Sequence, residues 1–276
     1  MSDRETGNDP ATDRPPFEAR VALASLSGES DAAWARAVSE HVGAAFLGGI
    51  ALDGPTRAAA REMVERDRRE FLPSDPVAFI DEQLSALADA PLRPGFNVRT
   101  TTLEVLREAA AVCRAHGAIL EVNAHCRQEE MCAVGCGESL LRETDRLRTQ
   151  VAAAAEAGAT VSVKVRAELP GVDLPEVAAT VSEAGADVIH VDAMDSEGVV
   201  GAVADASDAV VVANNGVRDA ETVVEYLECG ADAVSVGRPS DDPAVLRRVR
   251  AATDAWFGVD RETESGGRRG REEVRR

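Results

Sequence analysis

Short apolar runs rich in β-branched residues recur eight times along the chain, and a polar turn and an amphipathic stretch follow each run. The amphipathic stretches, such as 102–116 and 173–185, are rich in Ala, Glu and Val and read as helices. The runs are apolar at nearly every position, which is typical of strands buried on both faces of a parallel sheet. The predicted strands are 21–26, 44–50, 94–99, 118–124, 160–166, 187–193, 209–215 and 233–238.

Strands that alternate with helices predict a parallel sheet covered by helices, an α/β fold. Eight such units in about 240 residues fit a closed (β/α)8 barrel, the TIM barrel. A doubly wound open sheet is the alternative, but no G-x-G-x-x-G segment follows any predicted strand. We therefore predict a single barrel domain over residues 18–257, a disordered leader over 1–17 and a disordered charged tail over 258–276.

Acidic residues dominate the charge, since 49 Asp and Glu face 30 Lys and Arg and leave a net charge of −19. This balance disfavours a broad basic face for nucleic acid, and we expect no DNA partner. Lys164 is the only lysine in the chain. An acidic surface almost free of lysine suggests a halophilic cytoplasm, although a GC-rich genome would also favour arginine. The sequence contains neither a membrane-spanning apolar run nor a secretion signal, so we expect a cytoplasmic protein without a membrane partner.

Polar side chains collect where the predicted strands end. In a (β/α)8 barrel the C-terminal ends of the strands form the face that carries the chemistry, so these residues are candidates for a site. In strand order they are Ser25, Gly28, Asn97, Arg99, Asn123, Lys164, Arg166, His190, Asp192, Asn215, Gly216, Gly237 and Arg238.

Lys164 stands out because arginine supplies every other basic side chain, yet a lysine occupies this apolar strand. A compact, rotatable ammonium suits a confined anionic site that a planar guanidinium would not fit. A strand-end lysine that reaches solvent along its aliphatic stem is the structural alternative. We predict a functional cation.

The turns after the last two strands, Asn215-Gly216 and Gly237-Arg238, lie where many barrels bind phosphate. Glycine lets the backbone N–H groups approach an anion closely, and an arginine can offer two parallel hydrogen bonds. The two turns therefore predict a phosphate site.

Three of the five cysteines, Cys126, Cys132 and Cys136, fall close together but lack the C-x2-C spacing of metal sites, so we predict no metal. Cys126 directly follows a strand end and is flanked by His125 and Arg127. Neighbouring charge can tune a thiol for proton transfer, which makes Cys126 a candidate general acid.

The segment from Asn123 to Leu141 resembles the N-x-G-C-P…G-x-G-x-x-L-L signature of the tRNA-dihydrouridine synthases, without a gap. VSVKVR resembles the family's V-T-V-K-x-R strand, and VIHVDAMD resembles its histidine motif in strand six. The segment from Val211 to Arg238 resembles the family's N-G-D-I…T-G-A-D-G-V-M-I-G-R ending, and ALASLSG stands where the family has A-P-M-A-G. The resemblance covers residues 20–250 and points to a divergent archaeal-type branch of an FMN-binding barrel family.

The resemblance implies FMN in the barrel mouth, NADPH or NADH as the reductant and a uridine in tRNA as the substrate. Lys164 would lie against the N1/O2 edge of the flavin, where a cation favours the reduced form. Cys126 matches the cysteine that protonates C5 of the uracil ring while C6 receives a hydride. The implied cofactor-binding residues are Ser25, Gly28, Asn97, Asn123, Lys164, Arg166, His190, Asn215, Gly216, Gly237 and Arg238.

Two other functions stay open at the level of sequence. An FMN-dependent dehydrogenase of a free pyrimidine, similar to the dihydroorotate and dihydropyrimidine dehydrogenases, would share the Asn-x-x-Cys arrangement and the flavin lysine. A barrel that has lost its redox chemistry and serves only in binding is the third possibility. A visible spectrum of the purified protein separates this third possibility from the other two.

Overall fold

The computed structural model describes residues 17–259, in which eight parallel strands close into a barrel in chain order. The (β/α)8 fold predicted from the sequence is confirmed. The strands are β1 Val21–Leu23, β2 Ala44–Ala51, β3 Arg93–Arg99, β4 Ile119–Asn123, β5 Thr160–Arg166, β6 Val188–Asp192, β7 Val210–Asn214 and β8 Ala233–Val236.

Helices connect each strand to the next and cover the outside of the barrel. Two helices stand between β2 and β3 and two between β4 and β5, while the other connections carry one α-helix each. The helices are α1 Ala32–Ala37, α2 Gly54–Glu65, α3 Pro76–Ser85, α4 Leu103–Ala115, α5 Glu129–Ala133, α6 Thr144–Glu156, α7 Leu174–Glu183, α8 Gly198–Ala206, α9 Ala220–Glu228 and α10 Pro243–Trp256.

Aspartate begins six of these helices and accounts for part of the acidic composition. In each case the carboxylate accepts a hydrogen bond from a backbone N–H of the first helical turn, which has no partner within the helix. The capping residues are Asp31, Asp53, Asp75, Asp173, Asp219 and Asp242.

Only β5 has the predicted bounds; the other strands differ by one or two residues at an end, except β1, which ends three residues early. β1 ends at Leu23 because the chain then turns back: the Ser30 hydroxyl accepts from the Leu26 N–H, and the Ser30 N–H donates to the Leu26 carbonyl. Ser25 and Gly28 therefore lie in a loop. β2 continues past Gly48-Gly49 to Ala51, with its register against β3 shifted between Gly48 and Ile50.

The barrel interior is apolar at its N-terminal end and polar at its C-terminal end. Apolar side chains fill the lower part, namely Phe17, Ala22, Ala44, Phe46, Ile119, Val188, Val212 and Ala233. Phe17, which the sequence prediction assigns to the leader, is only 4% exposed and belongs to this floor. Further along the strands the inward-facing positions become Asn, Glu, Ser, Lys and His, and they form the upper part.

The rest of the predicted leader and residues 260–276 of the predicted tail lie outside the described residues. Within residues 17–259, no helix is long and apolar enough to cross a membrane.

Candidate functional site

Glu121 on β4 is the centre of a buried hydrogen-bond network inside the barrel. Its Oε1 accepts from Asn97 Nδ2 on β3 at 2.7 Å. Its Oε2 accepts from the Ser162 hydroxyl on β5 at 3.2 Å and pairs with His190 Nδ1 on β6 at 2.7 Å. His190 Nε2 in turn lies 2.7 Å from the Ser235 hydroxyl on β8. One carboxylate thus ties together four strands directly and a fifth through His190.

The protonation states of this network follow from burial and pairing. Burial raises the pKa of Glu121, but the opposing effects of His190 and Lys164 are together larger and hold it below its usual value. Burial, together with the charge of Lys164, holds the pKa of His190 below its usual value, although Glu121 raises it. A neutral His190 therefore donates from Nδ1 to an ionised Glu121 and accepts at Nε2 from the Ser235 hydroxyl.

Lys164 lies on β5 between Asn123 of β4 and His190 of β6 in the strand register. Its side chain is buried, with 3% of the residue exposed, and it makes no hydrogen bond to any residue of the 17–259 segment. Burial lowers its pKa, while the carboxylates of Glu121 and Asp192 raise it. Lys164 is therefore a buried cation near negative charge, and its ammonium group has no hydrogen-bond acceptor among the described residues. Such a cation is poised to hold an anionic group.

A second polar cluster lies at the rim, above Lys164. His125 Nε2 lies 2.5 Å from Asp192 Oδ2, and Asp192 Oδ1 accepts from Asn215 Nδ2 at 2.9 Å. Burial alone would raise the pKa of Asp192, but the bond from His125 and the other neighbouring donors and cations lower it strongly. The cluster joins the loops after β4 and β7 to the end of β6.

Asn123 fixes the loop that carries Cys126. Its Nδ2 donates to Asn97 Oδ1 at 2.8 Å, and its Oδ1 accepts from the backbone N–H groups of His125 at 3.2 Å and Cys126 at 2.9 Å. Cys126 is partly exposed, and its side chain packs against an apolar cluster of β2, α2 and α5 that includes Met63 and Met131.

The other two cysteines of this region have structural surroundings. Cys136 is buried and donates from Sγ to the Thr100 carbonyl at 3.2 Å, and burial raises the pKa of its thiol to about 12. Cys132 donates to the Cys126 carbonyl at 3.6 Å. Within the described residues, no three Cys, His, Asp or Glu side chains are grouped closely enough to hold a metal ion.

The two arginines at the strand ends are paired within the protein. The fully buried Arg99 forms an ion pair with Glu70 and donates to the Gly49 carbonyl at 2.6 Å. Arg166, a predicted cofactor ligand, forms an ion pair with Glu138. A buried guanidinium without a carboxylate partner would be costly, so these ion pairs hold both arginines within the protein at the rim.

The turns after β7 and β8 are open, as a phosphate site requires. Asn215 and Gly216 are exposed and have φ of 95° and 69°. A Cβ placed on Gly216 or on Gly237 would meet no atom within 4 Å. Arg238 is exposed, and its guanidinium has no hydrogen-bond or ion-pair partner in the described part of the chain. Each of the two turns is therefore open to an approaching anion.

Gly28 and Ser25 lie in the loop after β1, the strand that pairs with β8 in the closed barrel. Gly28 has a φ of 70°, and a Cβ there would lie 2.5 Å from the backbone carbon of Arg69. The glycine is thus needed for close packing against the segment after α2, rather than for an open approach to a ligand. Ser25 is half-buried in the loop after β1.

The structure brings four of the predicted site residues together inside the barrel and adds partners that the sequence prediction missed. Asn97, Asn123, Lys164 and His190 share one polar interior, but His190 has both ring nitrogens occupied within the protein. The additional residues are Glu121, Ser162, Ser235 and His125, and the last of these pairs with Asp192. For Glu121, Ser162 and Ser235, the signal in the sequence is a polar residue between two apolar residues of a strand.

Comparisons with known proteins support the barrel. No family model matches the chain. It is 26% identical over 235 residues to the Methanocaldococcus jannaschii protein called Uncharacterized protein MJ0144, a match that covers 80% of this chain and 89% of the relative. The polar mouth and this fold define a (β/α)8 barrel protein with a candidate active site.

Two solved structures have similar folds. A mutant of FabK from Thermotoga maritima has a TM-score of 0.55 and 17% identity, over 83% of this chain and 65% of that one, so the chain spans about two thirds of its length. Tryptophan synthase from Pyrococcus furiosus has a TM-score of 0.53 and 13% identity, over 87% of this chain and 97% of that one. At these identities the likeness shows the fold, a TIM barrel that enzymes share.

Proposed function

We propose that this protein is an FMN-dependent oxidoreductase of the tRNA-dihydrouridine synthase type, which reduces the C5–C6 bond of a uracil ring. The observation that carries the proposal is Lys164, a buried cation without a hydrogen bond in the described chain, at the polar end of a barrel. A cation beside N1 and O2 of a flavin ring stabilises the negative charge that gathers there on reduction.

The residues present fit FMN at both of its ends. Lys164 supplies the buried positive charge for the ring, and the open turns at Gly216 and Gly237 with the free Arg238 suit the phosphate. FMN, when bound, would accept a hydride from NADPH or NADH and pass it to the substrate. Asn215, which extends from the phosphate turn to Asp192, would link the two ends.

The remaining residues of the mouth would position these groups. Glu121 balances the charge of Lys164 and, through Asn97, reaches Asn123. Asn123 then holds the backbone of the loop after β4. This loop contains Cys126, the residue that the resemblance implies as proton donor. Because these groups are braced by strands, they need little reorganisation when charge develops on a bound ring.

A reoxidation experiment tests the proposal. The purified protein is loaded with FMN, reduced anaerobically with NADPH or NADH, and mixed with unmodified tRNA transcript, with orotate or with uracil while the flavin absorbance is followed. Reoxidation by tRNA alone supports a tRNA-dihydrouridine synthase, and reoxidation by orotate or uracil supports a free-pyrimidine enzyme. A protein that binds no FMN, or a reduced protein that none of the three reoxidises, contradicts the proposal.

A further inference from the structure

The His125–Asp192 pair at the rim has the geometry of a proton-transfer dyad. The imidazole Nε2 lies 2.5 Å from the carboxylate, and that carboxylate is itself held by Asn215. Nδ1 of the same ring makes no hydrogen bond to any described residue, and 32% of the side chain is exposed. One nitrogen is therefore fixed, and the other has no hydrogen-bond partner among the described residues, on a side chain that solvent can reach.

The carboxylate determines which nitrogen exchanges protons. Asp192 accepts, so Nε2 carries a hydrogen in both charge states of the ring. Nδ1 then has a free lone pair when His125 is neutral and an N–H donor when it is charged. In the Ser-His-Asp triad a carboxylate likewise fixes the histidine tautomer, but there it holds Nδ1 and leaves Nε2 free.

The charged groups that face His125 come from three strands. Asp192 on β6 and Glu121 on β4 favour the imidazolium, and Lys164 on β5 opposes it. Burial is the largest influence, and together with Lys164 it lowers the pKa of His125 below its usual value. At a given pH, more of the His125 ring is therefore neutral than of a free imidazole.

His125 faces the buried cation, whereas Cys126 faces an apolar cluster. The charge of Lys164 acts on the His125 ring, while the Cys126 side chain packs with α2 and α5 at the side of the barrel. A substrate stacked over a cofactor held at Lys164 would therefore meet the Nδ1 atom of His125. This step rests on the proposed function.

We propose that His125, oriented by Asp192, is the catalytic residue that protonates the substrate ring. In the reduction, C6 of the uracil ring accepts the hydride, and the electron pair of the C5–C6 double bond moves to C5 and its neighbouring carbonyl. C5 then forms a bond to the proton of His125 Nδ1, and the N–H bond breaks. The neutral imidazole regains a proton from solvent through its exposed edge. Asp192 is a positioning residue.

Single-turnover kinetics of the FMN-loaded, reduced enzyme test this assignment, with the tRNA transcript or orotate as the oxidising probe. His125→Gln should keep its flavin and its reduction rate but slow reoxidation about 100-fold, the usual scale for losing a general acid. The wild-type rate should rise as the pH falls towards the pKa of His125, and His125→Gln should lose this dependence. Asp192→Asn should shift the profile to lower pH, because it removes the charge that favours imidazolium.

A matched control and a rival variant sharpen the outcome. His116 pairs with Asp81 at 2.7 Å on the outer helices, so His116→Gln removes a similar pair far from the mouth and should change nothing. Cys126→Ala should keep the pH dependence. If Cys126→Ala loses it, or if His125→Gln reoxidises at the wild-type rate, the assignment is overturned while the flavin function stands. A wild-type protein without FMN would overturn both.

Nitrogen NMR of the full chain without cofactor gives an independent readout, since the signal that disappears in His125→Gln identifies the residue. We expect an Nε2–H tautomer and a pKa that falls further in Asp192→Asn. An Nδ1–H tautomer, or a pKa indifferent to Asp192, would overturn the proposal.

Discussion

Replacing Glu121 by glutamine should destabilise the barrel strongly, although the two side chains have nearly the same shape. Glu121 is fully buried and accepts from Asn97, Ser162 and His190. A glutamine amide has only one acceptor oxygen, so at least one of these donors would face an NH2 group. Lys164 would also lose a buried counter-charge.

The size of the effect follows from these losses. A hydrogen bond to a charged group contributes about 1.5–3 kcal/mol, and a buried donor left without a partner costs about 1–3 kcal/mol. Breaking a buried charge pair typically costs about 3–5 kcal/mol. We therefore expect Glu121→Gln to lower the free energy of unfolding by about 3 kcal/mol or more. For a domain of this size that corresponds to a Tm lower by about 6–12 °C.

Denaturant unfolding and a thermal scan, both in the same high-salt buffer, measure this change. Glu108→Gln is the matched control, because Glu108 is exposed on α4 and should change stability by less than about 0.5 kcal/mol. Glu121→Gln combined with Lys164→Met removes both charges and should recover part of the loss. A Glu121→Gln variant as stable as Glu108→Gln would refute the idea that Glu121 organises the interior.

Three further predictions test other parts of the structure. Because the folded pKa of His190 is below its unfolded value, stability should decline as the pH falls below about 6.5, and a Tm that is constant from pH 7 to 5 would contradict this. Gly49→Ala places a Cβ 2.5 Å from Asn97 Oδ1 in the buried network, so it should lower the free energy of unfolding by about 1–3 kcal/mol, as measured with denaturant. Gly198→Ala is the control and should be nearly neutral, because its Cβ would meet no atom within 4 Å. Arg238→Gln should weaken FMN binding about tenfold without weakening the binding of riboflavin, which lacks the phosphate. The control Arg247→Gln, on the outer face of α10, should weaken the binding of neither ligand. Equal FMN affinity for the two variants would argue against a phosphate contact.

The eight strands could be predicted from sequence because a parallel barrel buries both faces of each strand, and this leaves near-continuous apolar runs. The ends of β1 and β2 could not, since they depend on the Ser30 hydroxyl and on the register shift after Gly48. The first is a turn within the loop after β1 and the second is a contact between two strands, and the pattern of apolar residues indicates neither.

The candidate site could be predicted in part. Lys164 stood out by its rarity and Asn123 by its place at a strand end. Glu121 did not, because a glutamate beside β-branched residues is equally compatible with a solvent-facing position until the register of the barrel is known. The His125–Asp192 bond crosses from the loop after β4 to β6, and only the closed barrel brings these residues together.

Titration of FMN into the cofactor-free full-length protein, followed by quenching of flavin fluorescence, tests most directly whether Lys164 and the barrel mouth form a flavin site. The account predicts one FMN bound per chain and, in Lys164→Met, an affinity lower by about tenfold or more, the effect of losing one charge-assisted hydrogen bond. Lys164→Arg should recover only part of that loss, because the guanidinium is larger and planar. No FMN binding by the wild-type chain, or equal affinity in wild type and in a folded Lys164→Met variant, would contradict the account.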